Sequence, residues 1–280
     1  MDLKERLHSH LLHIVRDRDP YLATAGHFFV QEYIREQLSE WGTVETDEFL
    51  VNGRTHKNLI LHLATATNKH KPPILIGAHY DTVPGSPGAD DNATGVAVLL
   101  ELARIFAAEP GKYPLQLVAF DLEEFSLLGS SHYATQLKQQ QQPLRLMISL
   151  EMLGYCDHSP NSQDYPVEVL KYFYPHQGNF IALIGNLPTL LDMLRISHII
   201  SKRGINCRWL PVPDRGLILP DTRRSDHSPF WDAGYRSLMV TDTANLRNPH
   251  YHQGSDSLDT LDLDFLTGVC RGLAASIRYL

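Results

Sequence analysis

The chain is poor in cysteine and has no long apolar run and no block of one charge sign. Each shortage narrows what it can be. Only Cys156, Cys207 and Cys270 occur among 280 residues. They are odd in number and far apart, which suits reduced thiols and argues against a disulfide framework or a CxxC metal site. No stretch approaches the roughly 20 apolar residues of a membrane-spanning helix, so no membrane partner is expected. The opening MDLKERLHSHLLHIVRDRD is charged throughout and lacks a signal peptide's apolar core, so the expected location is cytoplasmic. Lys and Arg total 25 against 32 Asp and Glu, a net charge of −7 spread along the sequence. Without a basic run, nucleic acid is set aside as a partner. No internal repeat or biased linker divides the chain, so residues 1–280 are read as one domain.

What is present is 43% hydrophobic residues, enough for a sizeable core, arranged as short apolar runs alternating with helical patterns. The first 42 residues read as two helices, the second with Phe28, Phe29, Ile34, Leu38 and Trp41 near a 3.6-residue period and Gly42 as its stop. TVETDEFLV and KNLILHL read as strands, followed by PPILIGAHYD, LQLVAFD, RLMISLEMLGY, NFIALIGN and RSLMVTD. Helices are expected over NATGVAVLLELARIFAAE, within EEFSLLGSSHYATQL, and near 187–202 and 262–279. Strands apolar on both faces, alternating with helices, predict an α/β domain with a mostly parallel mixed central sheet covered on both sides. Segments 155–178 and 203–225, rich in Pro, Gly, Arg and Asp, read as loops forming a lid over one end.

One such loop, GAHYDTVPGSPGADDNATG, crowds His79, Asp81, Asp90 and Asp91 between an apolar strand and a helix. Unpaired carboxylates repel, so this crowding calls for a compensating cation. Ligands of open α/β sheets bind beyond the carboxyl ends of the strands. Three further polar clusters fall at such ends: Glu123 and Glu124 after LQLVAFDL, Glu151 closing LMISLE, and NPHYHQGSD with His250, Tyr251 and His252 after SLMVTD.

The pieces AHYDTVPGSPGADDNATG, DLEEFSLLGS, SLEMLGY, SDHSPFWDAGY and NPHYHQGSDSLD, in this order, resemble the co-catalytic di-zinc aminopeptidase family of metallopeptidases, within the zinc exopeptidase and glutaminyl cyclase-like superfamily. The resemblance implies that His79 and Glu151 bind one metal, that Glu124 and His252 bind the other, and that Asp91 bridges both. Two Zn2+ are then the implied cofactors, with Co2+ or Mn2+ as substitutes suited to the same N/O donors. Three protein ligands per ion leave a position open for chemistry. A shared carboxylate suits ions roughly 3.5–4 Å apart. Neighbouring residues of extended backbone point in different directions, so Glu123 is free to serve as general base beside its ligating neighbour. The resemblance assigns it that role. It also makes Asp81 the orienting partner of His79, and Tyr251 a donor to the oxyanion. Glu151 departs from the commoner Asp at its position and reaches about one methylene further.

The function expected is a metal-dependent exopeptidase, an aminopeptidase acting on peptides or small amino-acid amides. Its rivals are a one-zinc glutaminyl cyclase, a carboxypeptidase or dipeptidase using one of Arg203, Arg208, Arg215, Arg223 and Arg224, and an inactive peptidase-fold binding module. Asp90 and His250 read as structural. Asp226 and His227 either line the substrate site or cap the short helix that follows.

Overall fold

In chain order, the helices are α1 (Leu3–Ile14), α2 (Thr24–Ser39), α3 (Gly95–Ala108), α4 (Leu128–Gln139), α5 (Leu190–Lys202), α6 (His227–Ala233) and α7 (Leu263–Tyr279). The strands are β1 (Val44–Val51), β2 (Arg54–Leu63), β3 (Ile74–His79), β4 (Leu115–Phe120), β5 (Leu146–Glu151), β6 (Ile181–Asn186), β7 (Cys207–Val212) and β8 (Ser237–Thr241). The computed structural model describes residues 1–65 and 71–280.

All eight strands join one sheet in the order β1-β2-β4-β3-β5-β8-β6-β7. Its centre, β4-β3-β5-β8, is parallel, and so is the β6–β7 pair. The β1–β2, β2–β4 and β8–β6 pairs are antiparallel. This is the mixed, centrally parallel α/β sheet expected from the sequence. Every residue of β3 and β5 is buried, because successive side chains enter different cores. Ile74, Ile76 and Ala78 join a large core with apolar residues of α1, α2, α3, α5 and α7. Leu75 joins a smaller one with Tyr133 and Leu137 of α4 and Phe230 of α6. Gly77 is required on that second face, since a Cβ there would lie 2.3 Å from the ring of Phe120.

Two expectations are corrected. Phe28 and Phe29 do not belong to the inner stripe of α2. Val30, Ile34 and Leu38 are buried, while Phe28 and Phe29 are 63% and 42% exposed. At 100° per residue they lie roughly 120° and 140° around the helix from Ile34. Phe29 instead packs under the Arg16 guanidinium, 3.9 Å from its ring centre. Segment 203–225 is also not all loop, because it contains β7. That strand ends the sheet, where Pro211, which has no N–H, is tolerated. Segment 155–178 has one short 3₁₀ turn, Glu168–Tyr172.

The parallel centre places the ends of β3, β4, β5 and β8 along one edge, where His79, Phe120, Glu151 and Thr241 close their strands. Among the described residues no helix is long and apolar enough to cross a membrane.

Candidate metal centre and active site

His79 ends β3 and Glu151 ends the neighbouring β5, so the sheet itself sets these two. Asp91 comes from the turn before α3, Glu123 and Glu124 from the turn after β4, and His252 from the loop after β8. Five distant segments therefore meet at the sheet edge. His79 Nε2 lies 3.3 Å from Asp91 Oδ1, 3.6 Å from Glu151 Oε2 and 3.9 Å from Glu123 Oε2. His252 Nε2 lies 3.2 Å from both Asp91 Oδ2 and Glu124 Oε2. The two oxygens of Asp91 thus face the two histidines, one each.

The donors fall into two groups, His79 with Glu123 and Glu151, and Asp91 with Glu124 and His252. Within each, one ligand atom per residue lies within 4.8 Å of the others. Both ring nitrogens of His79, Nε2 of His252 and Oε1 of Glu124 are buried without a hydrogen-bond partner. Buried polar atoms are ordinarily paired, and unpaired nitrogens and oxygens converging on shared points are what a cation's ligands look like. The residues present therefore fit the metal that the sequence implies.

Charge explains the strain of the metal-free arrangement. Burial alone would lower the His79 pKa, but Glu123, Glu151, Asp81 and Asp91 raise it well above the ordinary value. Burial opposes protonation of His252 too, yet Asp91 and Glu124 lift it to about 10. The carboxyl of Asp91 is buried but held below the usual range by His252 and His79. Burial, aided by the charge of Asp91, pushes Glu124 up to about 7. Burial also raises Glu151 and, far more, Glu123, which feels Glu151, Glu124 and Asp226 against the pull of His79. The backbone is strained here as well. Leu122, Met152 and His252 adopt φ of +58°, +48° and +58°. Such left-handed non-glycine residues cost about 1–3 kcal/mol each and cluster at functional sites.

Asp81 does more than the sequence leads one to expect. Its Oδ1 lies 3.4 Å from His79 Nδ1, out of line for a hydrogen bond. Its two oxygens accept the backbone N–H groups of Glu123 at 3.1 Å and Glu124 at 3.2 Å. One carboxylate therefore sets the backbone of both glutamates, while the expected hydrogen bond from the His79 ring is not made. Tyr251 stacks on His252 with ring centres 3.7 Å apart.

Several supporting residues are missed by sequence reasoning. Asp256 accepts the N–H groups of Asp90 and Asp91 at 2.9 and 3.1 Å. Arg18, wholly buried, donates to the backbone carbonyls of Tyr80, Pro87 and Gly88 at 2.7–2.8 Å and so clamps the loop between His79 and Asp91. Ser225 Oγ donates to Glu151 Oε2 at 2.7 Å, which steadies the longer side chain at that position. Asp226 does not cap α6 with its side chain. It is buried near the site, and burial, then the charges of Glu151 and Asp81, push it up to about 7 against the pull of His79.

Other polar residues are structural. Asp90 accepts from Gly154 N and Asn248 Nδ2, both at 2.8 Å. His250 Nδ1 pairs with Ser255 Oγ at 2.9 Å. His227 neither caps nor lines the site: Nε2 bonds to the Thr222 carbonyl at 2.8 Å, and its ring meets Trp231 edge-on at 4.4 Å. Cys156, His158 and Asp262 also approach one another, but that cluster is accounted for without an ion. Asp262 Oδ1 accepts from Asp264 N and Phe265 N at the start of α7, and Asn179 Nδ2 donates to His158 Nδ1. A cavity opens beside Glu151 and Tyr251. Its walls include Leu170, Tyr174, Phe180, Ile184, Leu210 and Met239, with Arg208 and Arg224 among the polar residues.

Fold and site together define a hydrolase-like α/β protein with a carboxylate–histidine cluster at its sheet edge that could hold metal. A model of peptidase family M28 matches residues 58–177. YfbL of Escherichia coli (strain K12), an uncharacterized protein, is 34% identical over 257 residues, 86% of this chain and 77% of YfbL. Aminopeptidase YwaD of Bacillus subtilis (strain 168) is 38% identical over 218 residues, 76% of this chain but 42% of YwaD. The chain thus spans most of one relative and less than half of the other. The structure of BSAP, a zinc aminopeptidase from Bacillus subtilis, aligns with a TM-score of 0.59 and 27% identity, covering 80% of this chain and 50% of that one. The fold is also shared with Tannerella forsythia glutaminyl cyclase at a TM-score of 0.69 and 18% identity, covering 99% and 98%. The chain belongs to peptidase family M28 and is a metal-dependent peptidase.

Proposed function

We propose that the protein is an aminopeptidase that holds two zinc ions, one by His79 and Glu151, the other by Glu124 and His252, with Asp91 shared. The observation that carries this reading is Asp91, whose two oxygens point separately at the two histidines. The names of YwaD and BSAP support zinc and N-terminal cleavage. When bound, the ions supply Lewis-acid polarisation of the scissile carbonyl and an acidified attacking water.

The remaining work belongs to side chains. Glu123, whose Oε2 lies 3.9 Å from His79 Nε2, takes the proton of the attacking water and returns it to the leaving amine. Tyr251, which lines the cavity, donates to the developing oxyanion. The apolar cavity beside Glu151 receives the side chain of the N-terminal residue. An unblocked amine is the group that the surrounding carboxylates attract. Three of the arginines fit a carboxypeptidase less well. Arg215 and Arg223 pair with Asp232, and Arg224 is bonded to Tyr251 and Asn245.

The test combines a Glu123→Gln variant with metal analysis and a panel of amino-acid amides, dipeptides and N-blocked peptides. The variant is expected to keep about two zinc ions per chain and to lose turnover by about 10²–10⁴-fold. Unblocked amides should be hydrolysed and N-blocked peptides refused. One ion per chain with pyroglutamate formation would favour a cyclase, and undiminished turnover in the variant would reject Glu123 as the base.

A further inference from the structure

A phenol oxygen has one hydrogen to give and lone pairs with which to accept, whereas a guanidinium only donates. Arg224 Nη2 donates to Tyr251 Oη at 3.0 Å, and the guanidinium carbon lies 5.5 Å from the centre of the Tyr251 ring. The other arm of Arg224 is held by Asn245 Oδ1 at 3.1 Å. The Tyr251 hydrogen therefore cannot be spent on Arg224. Among the described residues no protein acceptor takes it, and Tyr251 lines the cavity beside Glu151.

The flanking residues anchor the chain on either side of the exposed Arg224. Arg223 grips Asp232 with both arms, at 2.6 and 3.3 Å, and Ser225 grips Glu151 at 2.7 Å. Three consecutive side chains thus tie one short segment to α6, to Tyr251 and to a metal-ligand candidate. The segment lies between the 3₁₀ turn Pro220–Arg223 and α6.

We propose that Arg224 is a positioning residue that commits Tyr251 to donation, occupying the acceptor side of its oxygen and leaving the O–H for the oxyanion of the scissile carbonyl. This rests on the peptidase reading above. The bond does two things. It fixes the direction of the remaining hydrogen, and its positive charge draws electron density from the phenol, which makes that hydrogen a stronger donor. Both effects grow as negative charge develops on the substrate oxygen, so they act on turnover and not on ground-state binding.

The test is a double-mutant cycle on the zinc-loaded full chain with leucine p-nitroanilide, using Arg224→Met, Arg224→Lys, Tyr251→Phe and Arg224→Met/Tyr251→Phe, with zinc content measured for each. Tyr251→Phe should lower kcat by about 10²–10³-fold, as loss of one oxyanion donor does. Arg224→Met should lower kcat by about ten- to a hundredfold with KM nearly unchanged, and Arg224→Lys should recover part of the loss. With Tyr251→Phe already present, Arg224→Met should cost less than about twofold, because the residue through which it acts is gone. An equal loss in both backgrounds, or a change confined to KM, would overturn the proposal. A wild-type enzyme that hydrolyses no amide overturns the peptidase reading and this proposal with it, an outcome visible before any variant is made.

Discussion

His79 and His227 are both completely buried, yet their surroundings shift their pKa values in opposite directions. His79 ends a strand among four carboxylates, whose charge raises its pKa well above the ordinary value despite burial. His227 sits at the start of α6 against Trp231, bonded to one backbone carbonyl, and burial lowers its pKa to about 3. Burial by itself therefore does not separate a ligand from a core histidine. What separates them is whether the protein has gathered more carboxylates around the ring than a fixed cation such as Arg18 can balance. At the end of β3 it has, and a cation is the simplest complement. At α6 it has not, and the ring behaves as an aromatic residue with one polar contact.

The largest effect that would sharpen this contrast comes from removing each ring. His79→Ala should lose at least one zinc ion per chain and more than about 10²-fold in turnover, the cost of a metal ligand exceeding that of its orienting neighbours. His227→Gln keeps a donor for the Thr222 carbonyl and should retain its zinc and most of its activity. Loss of metal from His227→Gln would break the comparison. A smaller effect is expected at Asp81. Its replacement by Asn leaves one acceptor oxygen where two N–H groups now bond, and should weaken zinc binding by about 10–100-fold in a competitive chelator titration.

Stability gives the next test. Stripping the metal leaves the carboxylates of the site facing one another, so calorimetry should show a melting temperature several degrees lower after chelation. A ligand at about 100 times its Kd contributes about 2.7 kcal/mol. An unchanged melting temperature would mean that no ion holds the cluster. The smallest expected effect is on acid stability. The folded pKa of His227 lies near 3, below the ordinary value of 6.5, so at acid pH the unfolded chain binds a proton that the folded one refuses. Its contribution is full above pH 6.5 and is lost as pH falls through that value toward 3. The acid slope of stability should be shallower in His227→Gln, measured by urea unfolding at pH 4 to 7.

Much of the site is legible in the sequence because each ligand candidate closes an apolar strand or sits in a short polar motif, and parallel strands bring their carboxyl ends to one edge. His79, Glu124, Glu151 and His252 are brought to one edge by this reading, whereas their roles as ligands and the choice of Asp91 rest on the family resemblance. What is not legible depends on contacts between distant segments. Arg18 lies in the charged run RDRD, where nothing local shows that it will clamp the loop after β3 from inside. Ser225 and Asp256 are common polar residues whose partners lie 74 and 165–166 positions away. β7 is half-buried at the end of the sheet, so its apolar pattern is too weak to stand out from the loops around it. Phe28 and Phe29 mislead because an exposed aromatic under a cation looks, in sequence, like a core residue.

The grip of Asp81 on the backbone of two adjacent glutamates has an evolutionary side. Because one carboxylate accepts from the backbone of both Glu123 and Glu124, drift at that codon would disturb the two side chains together. A descendant of this lineage that gave up hydrolysis to become a mere binding module would have no reason to keep an acid there.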